Sequence, residues 1–167
     1  MIALTVREPW ATATVFGDRR VDNRGGSIPK LCGERVAIHV GVQITVKERD
    51  AMPVVHARLA RAGLHPEAAR RMAMLAVAKR GHGVGTLIGI VLGVATIDEW
   101  IGGPTRAHEL GQGQWFTGPI AAVFSDVRPV VPPVPCPGAR RFWRLPPDIA
   151  LLVNQRIKEP ASCSSFS

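Results

Sequence analysis

The sequence predicts an α+β, mainly β chain: a small β-barrel flanked by helices, with a two-helix insert between its second and third strands. Three observations point there. Residues 35–40 alternate, with Val36, Ile38 and Val40 set against Arg35, Ala37 and His39, which is the period of two of a strand with distinct faces. Residues 86–98 form a β-branched run interrupted by Gly89 and Gly93, as a bulged or tightly curved strand requires. Residues 46–80 lack alternation and are rich in Ala, Arg, Met and Leu, a helical composition. The same elements would also build an α+β sandwich.

In chain order, Ile2–Val6 alternates and reads as a short strand. Pro9 then opens a helix over Pro9–Phe16, at a position where its missing N–H costs nothing. Trp10, Ala13 and Phe16 lie on one side of that helix, and Gly17-Asp18 ends it. Arg19–Arg24 is a short polar segment, and Gly25-Gly26-Ser27 is a loop. After the Arg35–Val40 strand, helices are predicted over Lys47–Arg61 and Pro66–Lys79, broken at Gly63-Leu64-His65. Met72, Leu75, Ala76 and Lys79 stack on the second of these. Thr86–Asp98 is the long strand, followed by a polar loop from Gly102 to Gln114. Ile120–Phe124 and Arg141–Leu145 are strands, with an extended Pro-rich stretch over Val130–Pro137 between them. Asp148–Ile157 is a C-terminal helix, and Ala161–Ser167 a frayed, flexible tail. The helices of the insert are expected outside the barrel, without a part in its closure.

A chain of 167 residues suits one domain. With 46% hydrophobic and 20% charged residues it can bury a core, which excludes disorder of the whole chain. Lys and Arg number 21 against 13 Asp and Glu, a net charge of +8 that points to a polyanionic partner or an acidic substrate. Only four of the cations are Lys; Arg favours bidentate phosphate contacts, although GC-rich coding produces the same bias. Three cysteines without CxxC spacing argue against a disulfide scaffold and a zinc site, and neither metal nor cofactor is expected. No signal-peptide pattern opens the sequence, and the apolar stretch from Leu87 to Ile97 is too short to span a bilayer. The expectation is a soluble cytoplasmic protein with no membrane partner. The GxxxxGK[ST] and HExxH motifs are absent. Gly81–Thr86 fails GxGxxG, and Gly25–Pro29 fails GxSxG.

Leu4-Thr5-Val6-Arg7-Glu8-Pro9-Trp10-Ala11, followed by Gly17-Asp18-Arg19-Arg20-Val21-Asp22-Asn23-Arg24, resembles the opening of the ASCH domain family and its Gly-x-Lys-x-x-Glu-x-Arg signature. Three further pieces match in order: Arg35–Gly41, Gly89–Ala95, and Gly118-Pro119 through Phe142-Trp143. The resemblance runs to about Pro146, with residues 47–80 as a family-variable insert. It implies a single ASCH-like domain over residues 1–160 with a PUA-like β-barrel, a cleft beside the first helix, and an association with RNA binding. Two positions depart from the signature: Arg19 stands for its Lys and Asp22 for its Glu. Some members resemble amidohydrolases of acetylated cytidine that use Thr, Lys and Glu. Here Asp22 replaces that Thr and Arg19 that Lys, and an Arg cannot serve as a general base, so that activity is not carried over. A ribonuclease role associated with other members finds no residue set that secures it.

Arg19, Arg20 and Arg24 surround Asp22. In a strand, Arg20, Asp22 and Arg24 share one face, and Arg19, Val21 and Asn23 the other. Such a set can grip phosphate or a base edge; it can equally be a structural network closing the barrel. Trp10 offers a stacking face or packs in the core. Of Phe142 and Trp143, alternation sends one inside, so one at most is a platform. His39 is either structural or a cleft residue, and Lys30 is a solvated charge or a phosphate contact. The insert carries eight cations and three anions, as a solvated helical surface or as a phosphate-tracking one.

The reading that follows is a protein binding nucleic acid, RNA or a nucleotide first and DNA second, in a basic cleft lined by Trp10, Arg19, Arg20, Asp22, Asn23, Arg24 and His39. One alternative is a hydrolase of a modified nucleoside or an RNA phosphodiester, with Asp22 as the catalytic carboxylate. The other is a protein-interaction module in transcriptional control.

Overall fold

The computed structural model describes residues 1–25, 30–63, 65–77 and 88–157, with the side chains of 75–77 excepted. Eleven elements follow one another: β1 (Ile2–Val6), α1 (Trp10–Phe16), β2 (Val21–Arg24), β3 (Arg35–Val40), α2 (Val46–Arg61), α3 (Pro66–Val77), β4 (Ile90–Ile101), α4 (Pro104–Glu109), β5 (Ile120–Pro135), β6 (Phe142–Arg144) and α5 (Pro147–Arg156). The strands form one mixed sheet in the order β2-β5-β4-β3-β1-β6, curled into a half-barrel with flanking helices. Among the described strands, only β1 and β3 run parallel. The expected β-barrel-like, helix-flanked architecture is present, and the sandwich alternative is not.

The curl has a local cause. Register shifts interrupt the β4–β5 pairing at three places, and another separates Ile38 from His39 in the β3–β4 pairing. Each bulge bends a strand and increases its twist. At Gly93 a Cβ would lie 2.8 Å from both the Arg128 carbonyl oxygen and the Val15 side chain, so glycine lets α1 rest directly on β4. The sheet leaves β2 and β6 as its two ends. Arg24 of β2 bridges toward the other end, donating to the Thr5 carbonyl oxygen at 3.2 Å with its guanidinium 5.7 Å from the Phe142 ring.

Both faces of the sheet are covered. Leu4, Val36, Ile38, Leu92, Ile97 and Phe124 pack with Val15 beneath α1. Ala3, Ala37, Val91, Val134 and Leu145 pack with Val153 of α5 on the opposite face. The alternation of β3 therefore separates two cores rather than core from solvent, and His39 is buried with Ala37.

Four boundaries differ from the sequence prediction. The long strand runs on to Ile101, because Glu99, Trp100 and Ile101 pair with Val123, Ala122 and Ala121. Its predicted start at Thr86 and Leu87 lies outside the described residues. The strand at 120–124 and the Pro-rich stretch are one strand, β5. β2 pairs only with residues 120–123; from Pro129 onward the strand partner of β5 is β4, with one isolated bridge from Val130 to Ile157, so the prolines there interrupt no second strand ladder. The predicted polar loop contains α4, with Pro104 in its first turn. The polar segment after α1 contains β2. The predicted tail at 161–167, and Lys79 at the end of the second insert helix, lie outside the described residues.

The insert helices lie outside the sheet but are no loose appendage. Met52, Val55, Leu59, Ala68 and Met72 share a core with Ala13, Val21, Trp115 and Val123. Arg71 of α3 is fully buried and pairs with the equally buried Glu8. Its Nε donates to Thr12 Oγ1 at 3.0 Å, while Glu8 accepts the Thr12 N–H at 3.0 Å and the Thr12 hydroxyl at 2.8 Å. At Arg71, therefore, the insert presents a core cation and not a solvated face.

Candidate functional site

A cavity of about 740 Å³ opens between α1, β2, the start of α2 and the segment preceding β6. Its floor is built by the turn after α1. At Gly17 a Cβ would meet the Leu59 side chain and lie 2.7 Å from the Ala13 carbonyl oxygen, so only glycine lets the chain turn there against α2. Gln112 then clamps the turn, accepting the Arg20 N–H at 2.6 Å and donating to the Asp18 carbonyl at 2.9 Å. This directs Arg19 inward, under Trp10.

Arg19 is 3% exposed, with its guanidinium 5.7 Å from the Trp10 ring. It donates to Thr14 Oγ1 at 2.8 Å and to Asp22 Oδ1 at 3.2 Å. Burial lowers the Arg19 pKa from its ordinary value, and the neighbouring Asp22 opposes that shift. The other oxygen of Asp22 accepts from Arg24 Nε at 2.5 Å. Asp22 thus holds two guanidinium groups, one buried and one facing the cavity. Arg24 is fixed on a second side by the Thr5 carbonyl, and its Nη1 has no partner among the described residues.

The remaining sequence-predicted residues divide. Trp10, Asn23 and His39 line the cavity with Arg19, Asp22 and Arg24. Asn23 is occupied: its amide donates to the Trp115 carbonyl at 2.8 Å, and its oxygen accepts from the N–H groups of Thr117 and Gly118 at 2.9 and 3.1 Å. It positions the 115–118 loop as a cavity wall. His39 Nε2 lies 3.0 Å from the Cys136 carbonyl, which can only accept, so Nε2 carries the proton and Nδ1 faces Thr5 Oγ1 at 3.2 Å. Burial lowers the His39 pKa, against the opposing effect of that carbonyl. Thr5 Oγ1 also accepts from Trp143 Nε1 at 3.0 Å and donates to the Ala139 carbonyl at 2.5 Å. The Thr5–His39–Trp143 group fixes the segment from 136 to 139.

Arg20 does not line the cavity, which corrects its expected place beside Asp22 and Arg24. Its Nη1 turns back to the end of α1, donating to the carbonyls of Thr14, Gly17 and Arg19 at 3.1, 2.8 and 3.0 Å. The last carbonyls of a helix lack helical partners and carry partial negative charge, which a guanidinium satisfies. Lys30 is exposed and likewise lies away from the cavity. Phe142 and Trp143 fall on opposite faces as alternation requires, Phe142 beneath Arg24 and Trp143 against His39.

Several lining residues carry no signal in their local sequence. Arg7, Lys47, Arg58, Arg140 and Arg141 add positive charge, and Trp115 adds a second indole. Glu48 is the other lining carboxylate. It closes a capping box with Thr45 at the start of α2 and accepts from Arg7 at 3.0 Å. Burial alone would raise the Glu48 pKa, but the hydrogen bonds from Thr45 and Arg7 leave it below the usual value. Lys47, Arg140 and Arg141 have no ion-pair partner among the described residues. Arg140 and Arg141, 118 and 119 residues from Asp22 in the chain, line the same cavity as Asp22.

No protein-family model matches the sequence, and no match to a curated protein was found. Solved structures do match. ASCH from Zymomonas mobilis superposes with a TM-score of 0.51 at 12% identity, covering 95% of this chain and 96% of that one. A tyrosine-to-phenylalanine variant of ZmASCH from the same organism gives a TM-score of 0.50 at 13% identity, over 94% and 98% of the two chains. This chain has the ASCH fold. That likeness extends over almost the whole chain. This ASCH-fold chain contains no tyrosine, so a tyrosine like the one replaced in that variant has no counterpart in kind here. Among the described residues, no helix is long and apolar enough to cross a membrane.

Proposed function

We propose that the cavity binds single-stranded nucleic acid, RNA in the first place, taking one nucleotide against the floor formed by Trp10, Arg19, Asp22 and Arg24. One observation carries the reading. The Arg24 guanidinium is immobilised by Asp22 and the Thr5 carbonyl, yet keeps Nη1 unpartnered in the cavity. A donor held in place before binding loses little rotamer freedom when a phosphate or base edge arrives. Trp10 supplies an aromatic surface for the base. Lys47, Arg140 and Arg141 supply unpaired charge for the backbone. Asp22 acts as a clamp, since each of its oxygens already holds a guanidinium. The association of PUA-like folds with RNA agrees with this reading.

The test is fluorescence anisotropy with a labelled RNA of about six nucleotides, repeated with DNA of the same sequence at about 50 and 200 mM salt. Affinity should fall with salt. Arg24→Ala should weaken binding by about ten-fold or more, the loss of a charged hydrogen bond. A folded Arg24→Ala protein that binds like wild type, or a wild type that binds neither probe, overturns the reading.

A further inference from the structure

A second, smaller cavity of about 360 Å³ lies beside the first, lined by Asp18, Arg58, Arg61, Ala62 and Gln114. The two share Arg58. That side chain is held in place: its Nη1 donates to the Gln114 carbonyl, and its guanidinium lies 4.8 Å from the Trp115 ring. Arg61 sits three residues further along α2, on the same side of the helix as Arg58. It is exposed and has no hydrogen-bond or ion-pair partner among the described residues. The one carboxylate of the second cavity, Asp18, accepts from the Gln114 amide through Oδ2 at 3.2 Å, while its Oδ1 is buried without a hydrogen-bond partner, so the two arginines outnumber a single carboxylate there. A fixed cation on an aromatic ring thus leads from the nucleotide-sized cavity to an unpaired cation in the next.

We propose that this second cavity is a flanking-nucleotide subsite: a single strand bound in the main cavity crosses Arg58, and Arg61 takes the phosphate of the neighbouring nucleotide. The inference rests on the nucleic-acid reading of the main cavity and adds to it where the strand leaves that cavity and which side chain takes its next phosphate. A volume of about 360 Å³ suits one small unit of ligand rather than a folded partner. Arg61 is exposed and breaks no hydrogen bond or ion pair among the described residues when replaced, so its variants test the subsite with little cost to the fold.

The experiment measures the affinity of wild type, Arg61→Ala and Arg61→Glu for a series of single-stranded RNAs from one to six nucleotides, with circular dichroism to confirm folding. Wild-type affinity should rise when the second nucleotide is added. Arg61→Ala should weaken the longer strands by about five-fold, the upper range of an exposed ion pair, and leave a nucleoside monophosphate unchanged. Arg61→Glu should weaken the longer strands further. The salt slope for the longer strands should become shallower by about 0.7 in Arg61→Ala, the loss of one single-strand phosphate contact. Equal wild-type affinity for mono- and hexanucleotide, or an Arg61→Ala protein with unchanged hexanucleotide affinity, overturns the subsite while leaving the main cavity as a nucleotide site. A wild type that binds no member of the series overturns both.

Discussion

Replacing Arg71 with Met should destabilise this protein far more than its distance in sequence from the cavity suggests. The Arg71 and Glu8 side chains are both 0% exposed and form an ion pair between α3 and the segment that leads into α1. Removing the guanidinium leaves the Glu8 carboxylate buried, with only the Thr12 N–H and hydroxyl as donors among the bonds described. Breaking one side of a buried pair costs about 3–5 kcal/mol. For a chain of this size each kcal/mol corresponds to about 2–4 °C, so the melting temperature should drop by about 6–20 °C. Urea unfolding followed by circular dichroism should show a lower midpoint with an unchanged slope. The double variant Glu8→Gln/Arg71→Met keeps an acceptor for the Thr12 N–H and removes the stranded charge. It should be more stable than Arg71→Met alone, with a coupling above about 1 kcal/mol in the double-mutant cycle. A loss below about 1 kcal/mol for Arg71→Met, or strictly additive variants, would refute the account of α3 as anchored through this pair.

Two further outcomes follow from the same geometry. Arg20→Ala should lower stability by about 0.3–1 kcal/mol, the scale of a cation at a helix C-terminus, and leave RNA affinity unchanged; a loss of affinity in the folded variant would return Arg20 to the site. Stability should also fall as the pH drops below about 6.5, because burial lowers the His39 pKa from the ordinary imidazole value of 6.5, so the unfolded chain takes up a proton that the folded one resists. Urea midpoints at about pH 7.5, 6 and 5 should fall less steeply for His39→Gln than for wild type, and parallel slopes would remove His39 as the source.

The strands around residues 2–6 and 35–40 and the helices around residues 10–16, 46–61, 66–77 and 147–156 were legible in the sequence because their signals are local. Alternation, a proline at a first turn and a glycine after a last turn act within a few residues, whatever the rest of the chain does. The polar segment at 19–24 was legible as chemistry, a carboxylate among arginines, but not as geometry. Which arginines face the cavity depended on partners far along the chain. Gln112 clamps the turn that buries Arg19, the Thr5 carbonyl fixes Arg24, and the end of α1 captures Arg20. The insert gives the same lesson from the other side. Its composition specified helices, and a solvated face was the natural reading of its arginines. Only the tertiary structure placed Arg71 opposite Glu8, across 63 residues, where burial makes the pair obligatory. Composition and periodicity set what each segment becomes; long-range hydrogen bonds and burial decide which charges are spent inside the fold and which remain for a ligand.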